Sequence, residues 1–192
     1  MRKKIIVISV LAVIILISSI LAGCKVVSDL DPLKELNATF ENTVEVKTAK
    51  IQIEVKAGSV TVYSEITEYR VESDQVNYSS TVKKPSSDIW QKDDYSESVS
   101  SGSMQKSEFS NVLPTKQAIN ENDVDGEIKK SEVDGGAVYE FTLRNAEKFA
   151  GEGVKNTPAE VEIQTENEKI TYIKIKYSEN GYEVEKTYEI DN

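Results

Sequence analysis

The spacing of apolar positions along this chain changes twice. Ile5 to Ile20 is an apolar run broken only by Ser9, Ser18 and Ser19. Leu33, Leu36, Phe40 and Val44 then recur at steps of three, four and four, which puts them on one face of a helix. Asp31-Pro32 ahead of them reads as an N-cap followed by proline at the first helical position. The polar side of this helix carries Glu35, Asn37 and Glu41 rather than lysines, so it is expected to pack on a sheet and not on an anionic membrane.

From Ala49 the period becomes two. Ala49, Ile51, Ile53 and Val55 alternate with polar residues, and Gly58-Ser59 follows as a turn. Val60, Val62 and Ile66 continue the alternation, but Tyr69 and Val71 fall on the other phase, so a bulge is expected near Thr67. After a turn at Ser73-Asp74, the residues Val76, Tyr78, Ser80 and Val82 alternate again up to Pro85. This pattern predicts an antiparallel meander with one apolar face. Ser86 to Ser107 is the least regular stretch, with a weak strand from Tyr95 to Ser101 and Trp90 expected to pin a loop to the core. Phe109, Val112 and Leu113 suggest a helical turn ahead of Pro114, and Ala118-Ile119 another. Glu127–Val133 and Ala137–Leu143 form a predicted hairpin around Asp134-Gly135-Gly136, followed by a loop or short helix from Arg144 to Gly153. The clearest strands are the last three, Ala159–Thr165, Ile170–Ser178 and Tyr182–Ile190, turned by Glu166-Asn167-Glu168 and Glu179-Asn180-Gly181.

The N-terminus changes the picture. Met1-Arg2-Lys3-Lys4 is a cationic start, and the apolar run after it closes on Leu21-Ala22-Gly23-Cys24. Positive, apolar and then small is the order of a secretory signal, and small residues directly before a cysteine resemble a lipobox. That resemblance implies diacylglyceryl attachment to the Cys24 thiol and cleavage between Gly23 and Cys24. Two acyl chains, at about 0.8 kcal/mol per buried methylene, hold a protein on a membrane where one would be marginal. An uncleaved spanning helix is the poorer reading, because about 20 apolar residues are wanted for one. The expected division is therefore a signal peptide at 1–23, a lipidated tether at 24–30 and a single domain at 31–192. Fully extended, the tether keeps the domain within roughly 20 Å of the membrane. The expected location is the extracytoplasmic face of the cell membrane. Cys24 is the one cysteine, so no disulfide can form within the chain.

Removing the signal leaves 20 basic and 33 acidic residues, a net charge of −13. Such a domain is not expected to bind nucleic acid. The chain has no histidine, which removes Ser-His-Asp and Cys-His nucleophile systems and histidine-ligated zinc. It has no glycine-rich phosphate loop. Acidic pairs such as Asp93-Asp94 lie in polar, serine-rich sequence, where nothing desolvates a carboxylate. No catalytic residue, cofactor or resident metal is expected. Glu121 to Glu132 partly matches a calcium loop, with Asp123, Asp125 and Glu132 as candidate ligands and Gly126 between them. The match fails at its first position, where Glu121 is too long, and at its ninth, where Lys129 is a cation. A solvated turn is the expectation here.

The lipobox, the helix, the long meander and the stretch Val161-Glu162-Ile163 through Ile173-Lys174-Ile175-Lys176-Tyr177 to Tyr182-Glu183-Val184 together resemble the LolA-like lipoprotein superfamily. The resemblance implies an α+β, mainly β fold, a curved antiparallel sheet or open half-barrel with the N-terminal helix on its concave face. It also implies an apolar cavity, since several members carry lipids or acylated lipoproteins. Physically, a sheet with one apolar face must cover it. A helix of about fourteen residues spans roughly 20 Å, less than the width of eight or more strands. The remainder is filled by loops or left as a pocket. Three roles follow. One is a structural, interaction or sensor lipoprotein with a packed core. Another is a carrier holding an apolar ligand between sheet and helix. The third is an enzyme on wall material, with only location to support it.

Overall fold

The alternation that begins at Ala49 makes Thr48–Ala57 a strand, β1, with two partners. It pairs antiparallel with Val60–Glu72 (β2) on one side and with Tyr182–Asp191 (β9) on the other. The computed structural model describes residues 31–43, 45–86, 95–116, 118–151, 154 and 156–192. Among these the remaining strands are Gln75–Pro85 (β3), Tyr95–Gln105 (β4), Val124–Val133 (β5), Gly136–Leu143 (β6), Ala159–Glu166 (β7) and Lys169–Glu179 (β8). All nine form one open antiparallel sheet in the order β4-β3-β2-β1-β9-β8-β7-β6-β5. The expected meander is in fact two, β1 to β4 and β5 to β9, joined where the first strand meets the last.

Rows of side chains run across the sheet at right angles to the strands. One row reads Ile163, Ile173, Tyr188, Ile51, Thr67, Ser80, Ser100 from β7 through to β4. The next reads Phe141, Val161, Ile175, Lys186, Ile53, Glu65, Val82, Ser98. Both begin apolar and buried and become polar toward β4. The core is densest over β6 to β9, where Ile163, Ile170, Ile173, Ile175 and Leu143 are fully buried, and it extends to Ile51 and Val76. Ile170 and Ile173 are three apart and both face inward because the β7–β8 register shifts between Gln164 and Thr165. The expected bulge near Thr67 is absent. The β1–β2 register shifts at Val55/Lys56 instead, and β2 runs unbroken against β3 with Glu65, Thr67, Tyr69 and Val71 on the inner side.

The helix Pro32–Asn42 (α1) lies on this apolar face and buries Leu36, Thr39 and Phe40. Polar ties hold it there. Asn37 donates to the Ile119 carbonyl at 2.8 Å and accepts from the Ile119 amide at 2.9 Å. Glu35 pairs with Lys130 on β5 at 2.8 Å. The Thr43 hydroxyl accepts the Ile170 amide at 2.9 Å. Phe40 meets Phe149 edge-on at 6.1 Å, Phe149 being in the short helix Glu147–Ala150 (α3). The connection from β4 to β5 adds Lys106–Phe109 (α2), whose Phe109 ring stacks on Tyr69 at 5.1 Å.

Gly136 opens β6 with no room for a side chain, since a Cβ there would lie 1.7 Å from the Thr165 carbonyl oxygen. At Gly58 the constraint is only conformational, with φ at +60° and nothing within 4 Å of an added Cβ. Gly136→Ala is therefore expected to destabilise the domain by about 3 kcal/mol, and Gly58→Ala by about 1 kcal/mol. Thermal or urea unfolding of the two variants checks this, and equal effects would contradict the packing at Gly136.

Candidate functional site

Where the two rows turn polar, charged and hydroxyl groups sit in a surface that elsewhere carries apolar side chains. Glu65 faces inward from β2 and is saturated by three hydroxyls. Tyr63 donates to its Oε2 at 2.6 Å. Thr67 and Ser80 each donate to its Oε1 at 3.1 Å, and their own oxygens lie 3.0 Å apart. Thr67 and Ser80 are buried, so these bonds remove a desolvation penalty as well as fixing geometry. Burial, and secondly the Glu65 carboxylate, push the Tyr63 phenol up to about 12.

Lys186 lies one strand beyond, across Ile53, which pairs with Glu65 on one side and with Lys186 on the other. Its ammonium stands 5.2 Å from the Tyr188 ring centroid, a cation–π contact. Among the described residues no carboxylate comes within 4 Å of it, unlike Lys130, Lys174 and Lys176, each of which has an acidic partner. Burial holds the Lys186 amine below the usual lysine range, and the Glu65 charge opposes that shift. Beside it on β1, β8 and β9, Ile53, Val55, Tyr177 and Val184 are only half-buried. The arrangement offers an amine with free donors beside apolar side chains, while Glu65 is already occupied. It suits binding of a hydrogen-bond acceptor more than proton transfer.

The two margins of the sheet differ. At one margin β5 is interrupted between Asp125 and Lys129, where Gly126 takes φ +84°, and it carries Asp125, Glu127, Lys129, Lys130 and Glu132. Bulges and charges of this kind keep an edge from pairing with another chain. At the other margin β4 runs eleven residues against β3 with no register shift. Every β4 residue except Met104 is exposed, Val99 at 67% and Tyr95 at 42%. It holds no Lys, Arg or Pro, and its one carboxylate, Glu97, pairs with Lys83 at 3.0 Å.

The residues singled out from sequence fare differently. Gly23, Cys24, the tether at 24–30, Val44 and Trp90 lie outside the described residues. The calcium-loop candidates are not brought together. Asp123 ends a single 3-10 turn, and its carboxylate accepts the Asn120 amide at 2.8 Å. Asp125 pairs with Arg144 at 3.2 Å, and Glu132 is exposed further along β5, 3.8 Å from Lys130. Within the segment Glu121–Asp123 is a 3-10 turn, Val124, Asp125 and Lys129 to Glu132 pair with β6, and the exposed Gly126 lies in the break between them. Among the described residues no group of three such side chains could hold a metal ion. Glu65 and Lys186 were not evident from sequence. Their signal was a charge on the inward phase of an otherwise apolar alternation, visible at Val184-Lys186-Tyr188 once that phase is fixed. No family model matches the chain, and no curated protein matches its sequence.

Because the Glu65 charge is what opposes burial at Lys186, Glu65→Gln is expected to lower the Lys186 pKa further. NMR titration of the lysine ε-carbon reads this directly, and an unchanged value would show that the two groups do not sense one another. Lys186→Met removes a poorly solvated charge from an apolar setting and is expected to raise stability by about 1 kcal/mol in urea unfolding.

Proposed function

We propose that this chain is a non-catalytic lipoprotein, anchored through a diacylglyceryl group on Cys24 to the extracytoplasmic face of the cell membrane, with a structural or protein-interaction role there. The leader and its lipobox-like end support the anchor. Among the described residues nothing pairs with the outer edge of β4, which supports the interaction role. Long unprotected edges are uncommon because they add strands from other chains, and a partner that adds one gains main-chain hydrogen bonds without needing a pocket. We propose further that the open sheet with a helix on its apolar face is LolA-like, a half-barrel with α1 on the concave side.

A second reading, a carrier of an apolar ligand, is favoured by one observation. The inner face is half-open around Ile53, Val55, Tyr177 and Val184, with the Lys186 amine among them. An aliphatic ligand with an acceptor head would find both halves of its chemistry there.

Mass spectrometry of the membrane-extracted protein is expected to find the chain beginning at Cys24 and carrying fatty acyl glycerol. Residues 1–23 still attached to a bare thiol would contradict the anchor. For the interaction role, a photo-crosslinking benzoylphenylalanine in place of Val99 is expected to capture another polypeptide in intact membranes, and no capture would remove that role. The carrier reading predicts a lipid extractable from the wild-type protein and depleted in Lys186→Met, and an empty extract contradicts it.

A further inference from the structure

The composition and register of β4 say more about its partner than that it is a polypeptide. An antiparallel strand added to β4 meets the sequence Tyr95 to Gln105, and that sequence is compatible with itself. With a two-fold axis at Ser100, Val99 lies opposite Ser101 of a second copy, Ser98 opposite Gly102, Glu97 opposite Ser103, and Tyr95 opposite Gln105. No charge is set against its own kind, which is what destabilises like-charged cross-strand pairs. Glu97, the one carboxylate, is already neutralised by Lys83 of its own chain.

The two faces of such a pairing also fit. Ser96, Ser98, Ser100 and Gly102 share the side of Lys84, Val82, Ser80 and Tyr78, so the inner face at the junction is lined by three serines and, over Gly102, by the Tyr78 ring. On the outer face the two Val99 side chains become diagonal neighbours on either side of the axis. Val99 is the most exposed large apolar side chain among the described residues, and it continues a row through Thr81 and Ile66. Pairing would cover it. The edge at β5 cannot do the same, because its bulge breaks the ladder and a charged strand would face another.

We infer that two copies of this chain associate through β4, antiparallel about Ser100, to make one sheet continuous across both. The inference rests on the interaction reading proposed above and names its partner. It commits to a second copy because the rest of the domain is strongly acidic, whereas this strand carries one neutralised carboxylate. Two acidic domains can meet here without opposing like charges.

Ser100→Cys in the full chain, oxidised in membranes, tests it. Residues facing each other across an antiparallel pair have Cα atoms about 4.5 or 5.5 Å apart, within the span of about 4.4–6.8 Å that a disulfide bridges. The expected result is a disulfide-linked species of twice the chain mass. It should form about tenfold more readily than with Ser131→Cys on β5, whose partner side is not predicted to approach a second copy. The wild-type chain, whose one cysteine is Cys24, is the background. Adding Val99→Lys to Ser100→Cys sets two lysines beside the axis and is expected to abolish the species. A yield no higher than in the two controls, or a species that survives Val99→Lys, overturns the inference. If Ser100→Cys fails while benzoylphenylalanine at Val99 captures a different protein, self-pairing falls and the interaction role stands. If neither captures anything, both fall.

Discussion

The pairing of β1 with β9 is the constraint on which the rest of this domain depends. These strands lie at opposite ends of the described chain, with Thr48 against Asp191 and Lys56 against Glu183. Closing so long a loop costs conformational entropy, though the cost grows slowly with length. In return the two meanders become one sheet with continuous cross-strand rows. The same pairing puts Ile53 between Glu65 and Lys186, two charges that belong to different meanders. It also moves the free edges outward to β4 and β5. If β1 and β9 were unpaired, those two strands would become edges and the mixed row would not exist.

A gradient follows across the inner face. Over β6 to β9 the buried side chains are mostly Ile, Val, Phe, Leu and Tyr, covered by α1 and by Phe149, and this is where burial concentrates. Each such side chain contributes about 1.5–3 kcal/mol when fully buried. Toward β4 the same rows end in Thr67, Ser80 and serines of the edge strand. At the other end of β2 and β3 the inner face stays apolar, with Val76 fully buried and Tyr69 against the Phe109 ring of α2. Burial is densest over β6 to β9, while the cluster of Glu65, Thr67 and Ser80 and the exposed edge of β4 lie on the other half.

Much of this was legible in the chain. The turn at Asn180-Gly181 has φ of +51° and +83°, as its residue types require. The neighbouring turn uses Asn167 and Glu168, both at positive φ, and was still marked by its polar run between two apolar alternations. Pro32 opens α1 as expected, and Leu36 and Phe40 face the core. The weak strand from Tyr95 to Ser101 is part of a full eleven-residue strand, hidden because an edge exposed on both faces has no apolar alternation to show. The Thr67 bulge was misplaced for a physical reason. Inward positions were assumed apolar, yet Glu65 and Thr67 turn inward because each finds hydrogen-bonding partners there. The junction of β1 with β9 was not legible, since hairpin signals fix neighbours in sequence and say nothing of the first strand meeting the last.

The central claim, that β1 and β9 weld the two meanders into one cooperative sheet, is tested most directly by hydrogen exchange. If the claim holds, the backbone amides of Thr48–Ala57 and Tyr182–Asp191 exchange among the slowest in the protein and open only with global unfolding. Early, independent exchange of these two segments, with each meander opening on its own, would contradict it.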